Sequence, residues 1–230
     1  MSRTYKDIAY QLVRSRRKTA SIYIERDGLV SVLVPERLSD EQIEDLLESK
    51  RAWIYRGLAE WRDLNASRVE REYVNGEGFL YLGRTYRLKL VSDLQAPLML
   101  KDGYFCLRST KGNVAVADEA FKAFYRQKGV ERIPRRVEYF RLKMDVAPRS
   151  VRVMDLKHRW ASCSSGGNLN FHWRCMMAPL TIIDYIVVHE LAHLIHHNHT
   201  PGFWTEVEKV LPDFQDRKDW LRLNGAGMDL

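Results

Sequence analysis

Apolar and polar positions alternate with period two near the N-terminus. IAYQLV (8–13), TASIYIE (19–25) and the more continuously apolar LVSVLVP (29–35) each read as a strand, with a turn at Asp27-Gly28 between the last two. A β-meander is expected. The period then lengthens: Ile43, Leu46, Leu47, Ile54, Leu58 and Trp61 recur at helical spacing behind Ser39 and Gln42, which occupy capping-box positions, so a helix should run to about residue 64. Short strands return between Tyr73 and Arg108 (FLYL, TYRLKLV, PLML, YFCLR), punctuated at Gly83-Arg84 and Asp102-Gly103.

After Asn113 helical spacing resumes at Phe121, Phe124, Val130, Ile133, Val137, Phe140 and Met144, with a break expected at Gly129 or Pro134 and an end by Pro148. SVRVMDL, RWASCSS and NLNFHW read as three short strands, the last entered through Gly166-Gly167. Pro179 and Thr181 open a strongly apolar helix through IIDYIVVHELAHLIH, and helices at roughly 201–211 and 214–223 follow. No internal repeat or flexible linker is apparent. The pattern predicts an α+β protein: a β-rich N-terminal region with one long helix (1–112) and a catalytic region (113–230), together forming one compact unit.

Composition narrows the function classes. With 45% hydrophobic and 29% charged residues and no apolar run of spanning length, the chain is not expected to cross a membrane. No secretory signal is evident, so the cytoplasm is the expected location. Cys106, Cys163 and Cys175 are far apart and form neither a disulfide framework nor a zinc ribbon. Lys and Arg outnumber Asp and Glu by 37 to 30, which favours acidic partners and allows weak nucleic-acid association through clusters such as Arg14/Arg16/Arg17/Lys18 and Arg132/Arg135/Arg136.

The chemistry concentrates in His189-Glu190-Leu191-Ala192-His193, a His-Glu-x-x-His motif. Four residues turn an α-helix by about 400°, so the two imidazoles share a face about 6 Å apart along the axis, within reach of one Zn²⁺. Glu190, about 100° round the helix, is placed to take a proton from water as general base. A catalytic zinc usually takes a third protein ligand. On a straight helix His196 is about 10.5 Å along the axis from His189, too far to converge. His196 and His197 suit a helix end instead. Glu208 is also a candidate, but a chain reversing at Asn198 would return His199 to the metal, with Glu206 on the next helix as the rival.

Around the motif, Arg159, Trp160, Ser162 and Tyr185 are candidate substrate-binding residues, Tyr185 as a donor to a developing oxyanion. Cys163 reads as a structural thiol.

RWASCSSGGNLNFHWRCMMAP, IIDYIVVHELAHLIHHNHTPGFW and LPDFQDRKDWL together resemble the YgjP-like metallopeptidases, distant relatives of the SprT-like and WLM zinc proteins. RSRRKTASIYI, VLVPERLSDEQI and KRAWI extend the resemblance to the N-terminal region. Ala161 and His172 stand where such proteins often have glycine and asparagine. The resemblance implies a zincin-like fold with the motif helix packed on a small sheet, zinc on His189, His193 and His199, and Glu190 as base. A peptide or protein substrate is the first expectation. Hydrolysis of a nucleoside triphosphate is the second, weakened by the absence of a glycine-rich phosphate cradle, and a nucleic-acid-associated zinc protein is the third.

Overall fold

The structure is a computed structural model that describes every residue except 1, 26–27, 66–70, 110–111 and 157–158, with backbone alone for 61–65. Asp27 of the expected turn and the Trp61 side chain thus lie outside the described residues. Among the described residues it contains small β-sheets and five α-helices, in two compact units, Met1–Arg68 and Val69–Leu230. The division expected at 112/113 falls earlier because the strands after residue 73 share a core with the helix that follows them, through Phe79, Phe105 and Phe121. No described helix is long and apolar enough to cross a membrane.

In the first unit β1 (Ser2–Tyr5), β2 (Ile8–Ser15), β3 (Ser21–Ile24) and β4 (Val30–Pro35) form a sheet of order β1-β2-β4-β3. It is not a meander: β4 pairs parallel with β2 and antiparallel with β3. Burial explains the order. β4 is buried at nearly every position and takes an interior place, whereas β3 is only half-buried throughout and sits at the edge. The helix α1 (Asp40–Asn65) starts as its capping box requires, with the Ser39 amide donating to Gln42 Oε1 at 3.1 Å and the Gln42 amide to Ser39 Oγ at 3.2 Å. Its apolar stripe, Ile43, Leu47 and Ile54, joins Ile8, Val30, Val32 and Val34 in the core of this unit.

The second unit begins with the same topology. β5 (Gly78–Tyr81), β6 (Arg84–Val91), β7 (Leu98–Lys101) and β8 (Tyr104–Arg108) are ordered β5-β6-β8-β7, with β6 and β8 parallel, and a long helix follows, α2 (Val114–Met144). This repeat of strand order is invisible in the sequence because the interior apolar residues differ in kind, mainly aliphatic in the first sheet (Ile8, Leu12, Val30, Val32, Val34) and a mixture of leucines and aromatics in the second (Phe79, Tyr81, Leu88, Leu98, Phe105, Leu107). Beyond α2, β9 (Ser150–Met154), β10 (Ala161–Cys163) and β11 (Asn168–His172) make a sheet of order β10-β11-β9, and a short 3-10 helix, Trp173–Met177, leads to α3 (Leu180–Ala192), α4 (Pro201–Val210) and α5 (Phe214–Asn224).

α2 runs without interruption through Gly129 and Pro134, where a break was expected. Burial of Ile133 before the proline and of Val137 and Phe140 after it holds the helix together across the one hydrogen bond that Pro134 cannot donate. Gly129 marks a close approach instead of a break: a Cβ there would lie 2.9 Å from Val153 Cγ1 and 3.4 Å from Cγ2. An exposed helical Gly→Ala change gains about 1 kcal/mol. Here overpacking against a β-branched side chain reverses the sign, so Gly129→Ala is expected to lose about 1–3 kcal/mol in urea denaturation. An unchanged or raised midpoint would show that the β9 contact is slack.

Candidate metal centre

α3 is apolar on all sides and accordingly buried, from Ile182 and Ile183 through Val187, Val188 and Leu191. Its start is set by the β5–β6 turn: the Leu82 and Gly83 amides donate to the carbonyls of Met176 (2.9 Å) and Met177 (3.0 Å). Gly83 has φ +77°, and a Cβ there would lie 2.7 Å from Pro179, so only glycine serves. Arg136 on α2 clamps Asp184 through two bonds, at 2.6 and 2.8 Å, and Arg217 on α5 donates to the Thr181 carbonyl at 2.9 Å.

The helix ends at Ala192, four residues sooner than expected. His193 is its C-cap, and the Leu194, Ile195 and His196 amides tighten the exit by bonding back to Leu191 and Ala192. Asn198 is not left-handed, so the chain reverses through this tight exit and not through an αL residue at 198. The result places His199 beside the first two histidines: ring nitrogens of His189, His193 and His199 all lie within 4.8 Å of one another. His189 Nε2 and His199 Nε2 are 3.0 Å apart, close to the separation of about 3.3 Å for two nitrogens on one tetrahedral zinc. His193 Nδ1 lies 3.1 Å from the His196 carbonyl, a contact that puts the proton on Nδ1 and leaves Nε2 as the lone pair.

The electrostatics suit a cation. Burial pushes His189 down to about 3, with His193, His199 and Lys218 adding repulsion, so its imidazole is neutral at pH 7. Burial also lowers His193 and His199. His189 Nδ1 is buried with no hydrogen-bond partner. Glu190 is buried too, which raises its carboxyl to about 8 against the opposing pull of Arg159 and a hydrogen bond from the Cys163 amide. Its Oε2 has no partner. Three neutral imidazoles with no carboxylate among them form a donor set that suits a first-row transition metal rather than magnesium or calcium.

Beside them lies a cavity of about 320 Å³ lined by Arg159, Trp160, Tyr185, His189, Glu190 and Leu221, among others. The Tyr185 ring is 5.9 Å from that of His189, and burial raises its phenol to about 12. Ser162 does not line this cavity among the described residues; its hydroxyl accepts from Asn170 Nδ2 at 3.4 Å. Glu206 pairs with Lys209 at 2.7 Å and stands outside the histidine cluster, while the His196 ring rests against Gly202. Cys163 is half-buried, and its thiol is raised to about 11 by burial and the nearby Glu190, so it is no ready nucleophile.

Sequence reasoning passed over Trp204 and Lys218. The Trp204 ring stacks on His199 (5.6 Å, 21°) and on Phe214 (5.4 Å, 18°), and Lys218 Nζ lies 4.3 Å from its centre. Spacing offers a faint signal: Phe214 and Lys218 share one face of α5 at i, i+4.

With this geometry, the family profile described as YgjP-like, metallopeptidase domain matches residues 18–224. The crystal structure of the metallopeptidase zymogen abylysin of Pyrococcus abyssi is similar at 28% identity over 38% of this chain and 89% of that one, with a TM-score of 0.36. No curated protein matches.

His199 is exposed and lies outside α3, so its place depends on the stack with Trp204. Trp204→Ala is expected to weaken zinc binding about tenfold or more in competition with a chelator, and Trp204→Phe to restore most of it. Equal affinity in all three proteins would mean that the loop positions His199 unaided.

Proposed function

Since the chain belongs to the YgjP-like family of metallopeptidase domains, we propose that it is a zinc-dependent peptidase whose metal is held by His189, His193 and His199, with Glu190 as general base. The observation that carries this reading is the pairing of three neutral imidazoles within 4.8 Å of one another with an adjacent buried carboxylate whose Oε2 has no partner. The arrangement is zincin-like, with the His-Glu-x-x-His helix beside the strand β10, whose Cys163 amide holds Glu190.

Zinc bound there supplies a Lewis acid that polarises a carbonyl and makes water more acidic. In the metal-free protein burial keeps Glu190 protonated near neutrality, and a divalent cation among the imidazoles favours the carboxylate that proton uptake requires. Glu190 then takes the proton of the attacking water and passes it to the leaving nitrogen. Tyr185, its phenol protonated at any physiological pH, donates to the oxygen that gains charge. Arg159 and Trp160 line the cavity and hold the substrate. Peptides or proteins are the substrate class, and three free cysteines suit a reducing, cytoplasmic setting.

The test compares zinc-loaded wild type with Glu190→Gln on a library of quenched-fluorescent peptides. The variant should bind zinc stoichiometrically and lose about 10²–10⁴-fold in kcat, and His193→Ala should lose the metal itself. Full activity in Glu190→Gln would refute the base. Turnover of nucleoside triphosphates but of no peptide, lost in the same variant, would transfer the mechanism to phosphoanhydrides.

A further inference from the structure

A second cavity, of about 480 Å³, lies wholly within the first unit, between β3 and one flank of α1. Leu46, Lys50 and Trp53 recur at i, i+4 and i+7 along that flank, with Arg56 beyond them and Ser21 and Ile22 of β3 opposite. Gly57, the next member of the stripe, closes one end: a Cβ there would lie 2.2 Å from Ile24 Cδ1, so the strand touches the helix at this point and leaves a groove before it. Among the described residues β3 pairs only with β4, so the groove borders a sheet edge.

Charge is distributed unevenly round it. The start of α1 is acidic, and cations from the first two strands and the turn between them neutralise part of it: Arg3 (2.8 Å) and Arg14 (2.6 Å) hold Asp40, and Lys6 (2.9 Å) holds Glu48. Lys50 and Arg56 are exposed at the groove and make no ion pair among the described residues, and the groove lining includes no carboxylate. On the strand side Arg17 donates to Ser21 Oγ at 2.6 Å. Trp53, 49% exposed, stands between the two helix cations.

We propose that this groove is a docking site for an extended acidic polypeptide segment, separate from the metal centre and independent of its chemistry. Apolar side chains of the segment pack on Leu46, Ile22 and the Trp53 ring, and its carboxylates meet Lys50 and Arg56. From Leu46 to Arg56 the helix rises about 15 Å, the length of four or five extended residues. A polynucleotide fits less well, because the cationic stretch is short and the exposed carboxylates of Glu41, Glu44 and Asp45 lie on the same helix.

Fluorescence anisotropy of the metal-free full chain with a labelled peptide of alternating valine and glutamate tests this, against a valine–lysine peptide and a labelled oligothymidylate. The acidic peptide should bind, and Lys50→Glu/Arg56→Glu and Trp53→Ala should each weaken it by about tenfold or more, an effect of the size that interfacial charge and aromatic anchors carry. Circular dichroism of these surface variants checks that they remain folded, and hydrolysis of short peptides at the metal centre should be unaltered in them. No binding, or binding indifferent to all three changes, would overturn the proposal. So would a preference for the oligothymidylate that falls steeply with salt. Because the assay uses metal-free protein, failure of the peptidase reading leaves its result intact.

Discussion

Burial of ionisable side chains at the end of an apolar helix is the constraint on which the candidate centre depends. A helix as hydrophobic as α3 is stable only inside the protein, and its final turn brings His189 and Glu190 in with it. Desolvation then keeps the imidazole neutral and pushes the carboxyl towards its neutral form. An isolated buried charge would be costly, and a divalent cation resolves the difficulty because it needs neutral imidazole lone pairs and favours a neighbouring carboxylate. The unpartnered His189 Nδ1 and Glu190 Oε2 mark where that need remains.

Much of the second unit can be understood as support for that helix. The β5–β6 turn bonds to the segment before α3, Arg136 fixes Asp184, and Arg217 caps the first turn from α5. Each contact is polar and directional at a point where apolar packing alone would let the helix slide or rotate. The aromatic stack from Phe214 through Trp204 to His199 plays the same part for the ligand candidate that the helix does not carry. The first unit repeats the strand order of the second and carries a long helix of its own, yet its core is aliphatic and its groove cationic.

Features that depend on neighbours along the chain were legible in the sequence. The capping box at Ser39 and Gln42, the turns at Gly83, Gly103 and Gly167, the alternating strands and the apolar run of α3 all follow from local backbone preference and periodicity. So did the facing of His189 and His193, since helical pitch alone puts them together. Features that depend on distant segments were not. Alternation identifies β2, β3 and β4 as strands but does not say that β4 inserts between the other two, because period two records which face is buried and not which strand lies alongside. Pro134 looked like a break in the helix since sequence shows the lost hydrogen bond and hides the packing that offsets it.

By itself, then, the sequence determined most of the elements, the buried character of α3 and the pair of imidazoles on one face, because these rest on interactions spanning a few residues. Tertiary structure decided the rest. It ended α3 at Ala192, turned the chain so that His199 and not Glu206 joins the first two histidines, sent Ser162 away from the cavity, and brought Trp204 and Lys218 from two later helices beside His199. Each of these outcomes is set by packing between segments far apart in the chain, and no local pattern of apolar and polar residues encodes which segments will meet.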